Sequence, residues 1–351
     1  MTAASFVEMV DRLGWPLVRL GSGDLDVHCL PGRGCDVLSV RPWDGPELLF
    51  ATPWGLRRRG AATGGGDDRT LLMEQYPGGW QTVFPNAGPA REAYGAPWGM
   101  HGEAWLAPFE VIGTGVTTDG AWLEAETRLV RSPFRLRKRV SVDSASVTVT
   151  ETVTNEGGQP VEVMWGQHPA FSAALLGPRA ELSTSATRVV VDPDRDTPTT
   201  DLQPGAVSAW PHATGRGGAP VDLRPVPSAS TTVDRLLYLT GFPDTEAWVR
   251  LADPDAGLAV ALHWDGTEMP HAWYWLESHA TPDFPWYAGV RAFALEPATS
   301  WPAARDAGPS TAGGSVRVAA GERRTHRVRL EVEHLVPTAA GAQTHAAPDE
   351  R

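Results

Sequence analysis

Strict alternation of apolar and polar residues runs through this chain and leaves few folds open to it. In SVTVTETVTN (146–155), Val147, Val149 and Val153 share one face while Thr148, Thr150, Thr152 and Thr154 share the other. Successive side chains of an extended strand point to opposite sides, so the pattern specifies a strand with one apolar face. HRVRLEVEHL repeats it, with Val328, Leu330 and Val332 facing in and Arg327, Arg329, Glu331 and Glu333 facing out. VRLADPDAGLAVALHW (249–264) reads as a hairpin turning through Asp-Pro-Asp-Ala-Gly. The 37 glycines and 31 prolines are spread at short intervals rather than gathered in one linker, as many short strands joined by turns require. Helical spacing is confined to AASFVEMVDRL, where Phe6, Val7, Val10 and Leu13 recur, and short helices are expected in loops such as that around Arg91. The expected fold is all-β, built of antiparallel sheets with few short helices.

A chain of 351 residues could form one large β domain or two ordinary ones, and the even punctuation favours one, spanning residues 1–336. From Pro337 the segment PTAAGAQTHAAPDER has no apolar period and is expected to be a disordered tail over 337–351. The stretches AATGGGDD (61–68) and ARDAGPSTAGGS (304–315) are expected to be mobile loops. Glu8, Asp11 and Arg12 interrupt the N-terminal segment where a secretory signal needs an apolar run, and no apolar run is long enough for a bilayer, so a cytoplasmic protein without membrane contact is expected. Cys29 and Cys35 then read as reduced thiols. With net charge −12 and dispersed arginines, the chain lacks the basic footprint of a nucleic-acid binder. Its one basic run, RLVRSPFRLRKRV (128–140), alternates its arginines as the solvent face of a strand does.

Three polar side chains keep unusual company: His101 in WGMHGEAW, His168 in MWGQHPAF and Glu296 in VRAFALEPATS. Glu296 closes an apolar run just before a proline that ends the strand, which holds a carboxylate at the edge of a core. Either histidine alone could be a satisfied core residue, a metal ligand or a proton donor. Facing each other across a pocket, a carboxylate and an imidazole can remove one proton while delivering another. That suits the opening of a cyclic sugar, in which the anomeric hydroxyl loses a proton and the ring oxygen gains one, and which needs no cofactor.

On these motifs the chain resembles the aldose 1-epimerases, or galactose mutarotases. LPGRGCDVLSVRPWDGPELLF looks like the family's N-terminal hairpins, GGWQTVFPNAGP with HGEAW like its first histidine region, QHPAF like its second, ALEPATS like its glutamate motif and VAAGERRTHRVRLEV like its last strand. The resemblance implies a galactose-mutarotase-like β-supersandwich and a small-molecule sugar substrate. It implies Glu296 as base at the anomeric hydroxyl, His168 as acid at the ring oxygen and His101 as a sugar-binding imidazole. Asp234 in TTVDRLLYL resembles the aspartate that holds sugar hydroxyls, though it reads equally as a turn residue. The family's asparagine–arginine pair is represented by Asn86 and Arg91, with four residues between them. Trp273 and Trp275, on one strand face with His271, are expected to cover a pyranose or to pack the core. A monomer or homodimer is expected.

Three other readings stand beside this one. A non-catalytic sugar-binding protein could keep the fold. A metalloprotein could use His101, His168, His271 and Glu296, although none of the short histidine spacings of metal sites occurs. Within the enzymes, a hexose-6-phosphate 1-epimerase is the runner-up; the two arginine positions of that branch are occupied here by Pro77 and Trp105, with Glu103 expected beside them. For Glu296 the plain alternative is a buried salt bridge to Arg291.

Overall fold

The computed structural model describes residues 3–61, 66–302, 311–312 and 315–335. Two large antiparallel sheets carry the fold. One has eleven strands, ordered Ala3–Arg12, Trp15–Gly23, Leu25–Leu30, Asp36–Pro42, Trp80–Val83, Gly166–Phe171, Arg291–Ala298, His271–Ser278, Val233–Thr240, Arg188–Val191 and Val207–Ala209. The other has eight, ordered Glu181–Thr184, Ala247–Asp253, Leu258–Trp264, Arg323–His334, Ser146–Asn155, Phe134–Asp143, Gly120–Arg128 and Glu110–Val116. Both sheets contribute to one hydrophobic core, in which Val147, Val149 and Val153 of the eight-stranded sheet join Val18, Val27 and Trp80 of the larger one. The inward valines are those the alternation assigns, and the hairpin predicted around Pro254–Gly257 forms with Leu251 opposite Val260. No described helix is long and apolar enough to cross a membrane.

Residues 3–13 correct the sequence reading. The expected helix is an edge strand, Ala3–Arg12, that turns at Leu13–Gly14, both at positive φ, and pairs back along Trp15–Gly23. A two-residue turn with both residues at positive φ matches the twist of a hairpin, and it outweighs a short helical spacing. Phe6 lies over Gly21, where a Cβ would sit 2.1 Å from its ring, so the aromatic ring takes the place of the missing side chain. Around Arg91 the chain likewise forms a small hairpin, Arg91–Ala93 against Ala96–Trp98, and not a helix. The α-helix found among the described residues, Asp68–Gln75, begins inside a predicted loop, where Asp67 accepts a hydrogen bond from the Thr70 amide. Most of the second predicted loop and all of the predicted tail lie outside the described residues.

In the basic run, Arg135, Arg137 and Arg139 do face outward, whereas Lys138 is buried between the sheets at 1% exposure. Its ammonium lies 3.4 Å from Glu151, which occupies the valine face of its own strand. Burial opposes the charge on Lys138, but Glu151, the neighbouring Cys35 and Asp36 more than offset it and its pKa is raised. Glu151 also accepts from Thr82 Oγ1, from Trp165 Nε1 at 3.0 Å and from Gln167 Nε2 at 2.8 Å, and His326 Nε2 lies 3.1 Å away. This hub ties the eight-stranded sheet to the strands that bear Thr82 and Gln167. Cys29 and Cys35 are buried free thiols, and burial pushes Cys35 to about 12.

Candidate active site

Strand register assembles the site. On the cavity-lining face of the eleven-stranded sheet Gln81 pairs with His168, Trp273 with Glu296, and Tyr238 with both Trp273 and Val190. The flanking pairs Gly166 with Ala298 and Ala170 with Ala294 place His168 opposite Glu296. A single transverse row therefore reads Gln81, His168, Glu296, Trp273, Tyr238, drawn from five strands. Directly opposed side chains on one face lie close enough to interact, and His168 Nε2 is 3.6 Å from Glu296 Oε1. Around the row opens a cavity of about 820 Å³, lined also by Tyr76, Asn86, Arg91, His101, Asp192, Asp194, Arg195, Trp275 and Trp286.

His101 reaches the row from a loop. It sits at φ +60 and is followed by Gly102 at φ +80, where a Cβ would lie 2.2 Å from the Phe84 carbonyl oxygen, so only glycine fits there. The His101 amide donates to the Gly88 carbonyl, and the Gly88 amide donates to His101 Nδ1 at 3.2 Å. With Nδ1 accepting, the proton of the neutral ring is assigned to Nε2, which becomes a donor. The ring meets that of His168 edge-on with centroids 5.6 Å apart, and Tyr76 also packs edge-on against His168 at 5.9 Å.

Burial sets the protonation of all three groups. It lowers His168 to about 4 and His101 to about 3, in the latter case with help from His168, and it pushes Glu296 well above the usual carboxylate value. Removal from water is the largest influence on His168, although Glu296 lies only 3.6 Å away. Between about pH 4 and the raised pKa of Glu296, the pair holds one transferable proton.

The other expected site residues divide. Trp273 lines the cavity, with its indole N–H donating to the Ser300 carbonyl. Asn86 lines it as well, but its Nδ2 is committed to the Pro89 and Gly99 carbonyls, which shape the loop carrying His101. Arg91 lines it and lies over Trp98 at 5.1 Å. Asp234 stands behind the wall, 1% exposed, accepting from Arg195, Thr197 and Thr199; Arg195 is the group that reaches the cavity. Arg291 donates to the Leu176 and Pro227 carbonyls and forms no salt bridge with Glu296. Glu103 does lie beside Trp105, but in a separate hollow that both line, where it accepts from the Arg131 amide and the Ser132 hydroxyl and stays outside the cavity. Among the described residues no three His, Cys, Asp or Glu side chains converge as metal ligands, and His271 makes a hydrogen-bonding contact with Thr240 Oγ1 at 3.0 Å.

Sequence reasoning missed Tyr76, Gln81, Asp192, Arg195, Tyr238 and Trp286. For Tyr238 the signal was present, since it continues the period-two series of Asp234 and Leu236. The loop residues Asp192 and Arg195 carry no such periodic mark.

No family model and no curated protein matches the sequence. Solved structures match the fold. A galactose mutarotase-like protein from Clostridium acetobutylicum aligns with TM-score 0.64 at 13% identity, covering 95% of this chain and 99% of that one. A galactose mutarotase related enzyme from Lactobacillus acidophilus aligns with TM-score 0.62 at 16% identity over 93% and 97%. A galactose mutarotase-like protein from Lactobacillus casei gives 0.58 at 17% over 90% and 100%. The chain thus has the galactose mutarotase-like β-sandwich fold that the motifs imply.

Proposed function

We propose that the protein is an aldose 1-epimerase acting on an unphosphorylated sugar. The observation that carries this reading is the opposition of His168 and Glu296 at 3.6 Å in one row across the cavity. Glu296 in its ionised form takes the proton of the anomeric hydroxyl while protonated His168 delivers one to the ring oxygen. The ring opens to an aldehyde, which rotates about its first carbon–carbon bond and closes on the other face. His101 donates from Nε2 to a sugar oxygen near the reacting centre, Trp273 covers the apolar face of the pyranose, and Arg195 and Arg91 face its hydroxyls. The reactive arrangement has the same proton count as the neutral pair, so sugar hydroxyls need only shift a proton already there.

The pH dependence follows. Activity is expected to rise with a midpoint near pH 4, as the doubly protonated pair loses a proton, and to fall on the alkaline side as the last proton leaves Glu296. The acid limb then belongs to the imidazole and the alkaline limb to the carboxyl, the reverse of what their ordinary pKa values give. A titration of the His168 ring by NMR in the free enzyme checks this: a midpoint near 4 is expected, and one near 6.5 contradicts it.

Charge supports the unphosphorylated substrate. Besides the proton-sharing Glu296, the carboxyl groups of Asp67, Asp68, Asp192, Asp194 and Glu277 line the cavity against Arg69, Arg91 and Arg195, and Arg195 is paired with Asp234. A phosphate dianion meets net repulsion there. Catalytic efficiency is expected to be at least about tenfold higher on free glucose or galactose than on the 6-phosphates, a difference of about 1.4 kcal/mol. A preference for the phosphates overturns this part of the reading.

A further inference from the structure

The cavity is larger than one sugar needs. At the close packing of a protein interior a hexose fills roughly 180 Å³, against about 820 Å³ here. The surplus has a direction. One residue pair beyond the row of His168, Glu296 and Trp273, the face changes to Ala170, Ala294 and Trp275, about 7 Å further along the strands. Both alanines are buried in one cluster with Phe50, Tyr76 and Trp286, and beside them Trp275 and Trp286 present their rings to the cavity. Trp286 packs against Trp275 with centroids 6.3 Å apart and stacks on Trp54 at 5.6 Å and 10°, so its ring is held in a fixed orientation. Thr281 and Arg69 line the same end, and Arg69 donates to the Phe284 carbonyl in the aromatic segment that carries Trp286.

An apolar face with polar groups at its edge is the complement of a pyranose, whose axial hydrogens form an apolar surface rimmed by hydroxyls. We infer that the Trp275–Trp286 wall is a second sugar subsite, and that the preferred substrate is an oligosaccharide with a free reducing end. The reducing unit reacts over Trp273, and the next pyranose, attached through a non-anomeric hydroxyl, lies on the aromatic wall. This inference rests on the epimerase reading for what happens at the first unit, but not for the existence of the second subsite.

Anomer exchange followed by NMR on maltose, cellobiose and lactose, side by side with glucose and galactose, tests it. At least one disaccharide is expected to show kcat/KM about tenfold or more above either hexose. Trp275→Leu and Trp286→Leu are each expected to lower kcat/KM on that disaccharide by about tenfold more than on the hexoses. Equal efficiencies on disaccharides and hexoses, or equal losses on both in the Trp275→Leu variant, overturn the inference; because Trp286 also packs the core, Trp275→Leu decides if Trp286→Leu fails to fold. Should no sugar be turned over, the epimerase reading fails, and tryptophan-fluorescence titration of the wild-type protein with the same sugars decides the subsite. Tighter binding of a disaccharide upholds it, and equal or weaker binding overturns it.

Discussion

Glu296→Gln is expected to lower anomer interconversion by at least about a hundredfold, equivalent to about 2.7 kcal/mol of transition-state stabilisation. The amide keeps the shape of the side chain opposite His168 but cannot take a proton from the anomeric hydroxyl. His168→Ala is expected to cost a similar factor. Stability should move the other way for Glu296→Gln. Burial raises the folded-state pKa of Glu296 above its unfolded value, so as pH climbs through that window the unfolded chain releases its proton while the folded chain retains it. Wild-type stability therefore declines with rising pH, and the glutamine variant, with nothing to ionise, is spared that decline. Urea unfolding at pH 5 and pH 8 checks this: the variant should gain on the wild type between the two. A variant that keeps wild-type turnover removes Glu296 from the chemistry.

The second large effect concerns stability. Glu151→Ala is expected to destabilise the fold by about 3–5 kcal/mol, the usual consequence of leaving one member of a buried ion pair alone. Lys138 would remain between the sheets without its carboxylate, and the donors Thr82, Trp165 and Gln167 would lose their acceptor together. Pairing the change with Lys138→Met should recover part of the loss by removing the stranded charge, but the neutral donors keep the recovery incomplete. Denaturant midpoints of the single and double variants measure both. A cost below about 1 kcal/mol for Glu151→Ala means that the hub is solvated or dispensable.

Local alternation carried much of the architecture. The strand Ser146–Asn155, the hairpin through Pro254–Gly257 and the last strand follow from side-chain period alone. Glu151 could have been read in the same way, because it takes the place of a valine on the apolar face, and a carboxylate there requires a buried partner. The edge strand at residues 3–12 was misread because none of residues 4–12 is buried, Met9 being 60% exposed, so neither face has to be apolar and strict alternation is not imposed. The motifs singled out His101, His168 and Glu296, which the fold does bring together. What the sequence withheld is register. Which residue of Gly166–Phe171 lies opposite Glu296, about 130 residues away, depends on pairing between distant strands, and no local pattern encodes it. The same holds for Asp234, whose short-range surroundings conceal that Arg195 and two threonines from a separate loop enclose it.

The most direct test of the central claim is the rate of exchange between the α and β anomers of an unphosphorylated aldose, read by magnetisation-transfer NMR at neutral pH with increasing amounts of purified protein. The account predicts exchange that grows in proportion to protein concentration with the wild type and falls at least about a hundredfold with both Glu296→Gln and His168→Ala. Exchange at the buffer rate with every neutral aldose and oligosaccharide tried, from a folded protein that still binds sugar, would contradict it and leave a binding protein built on the same fold.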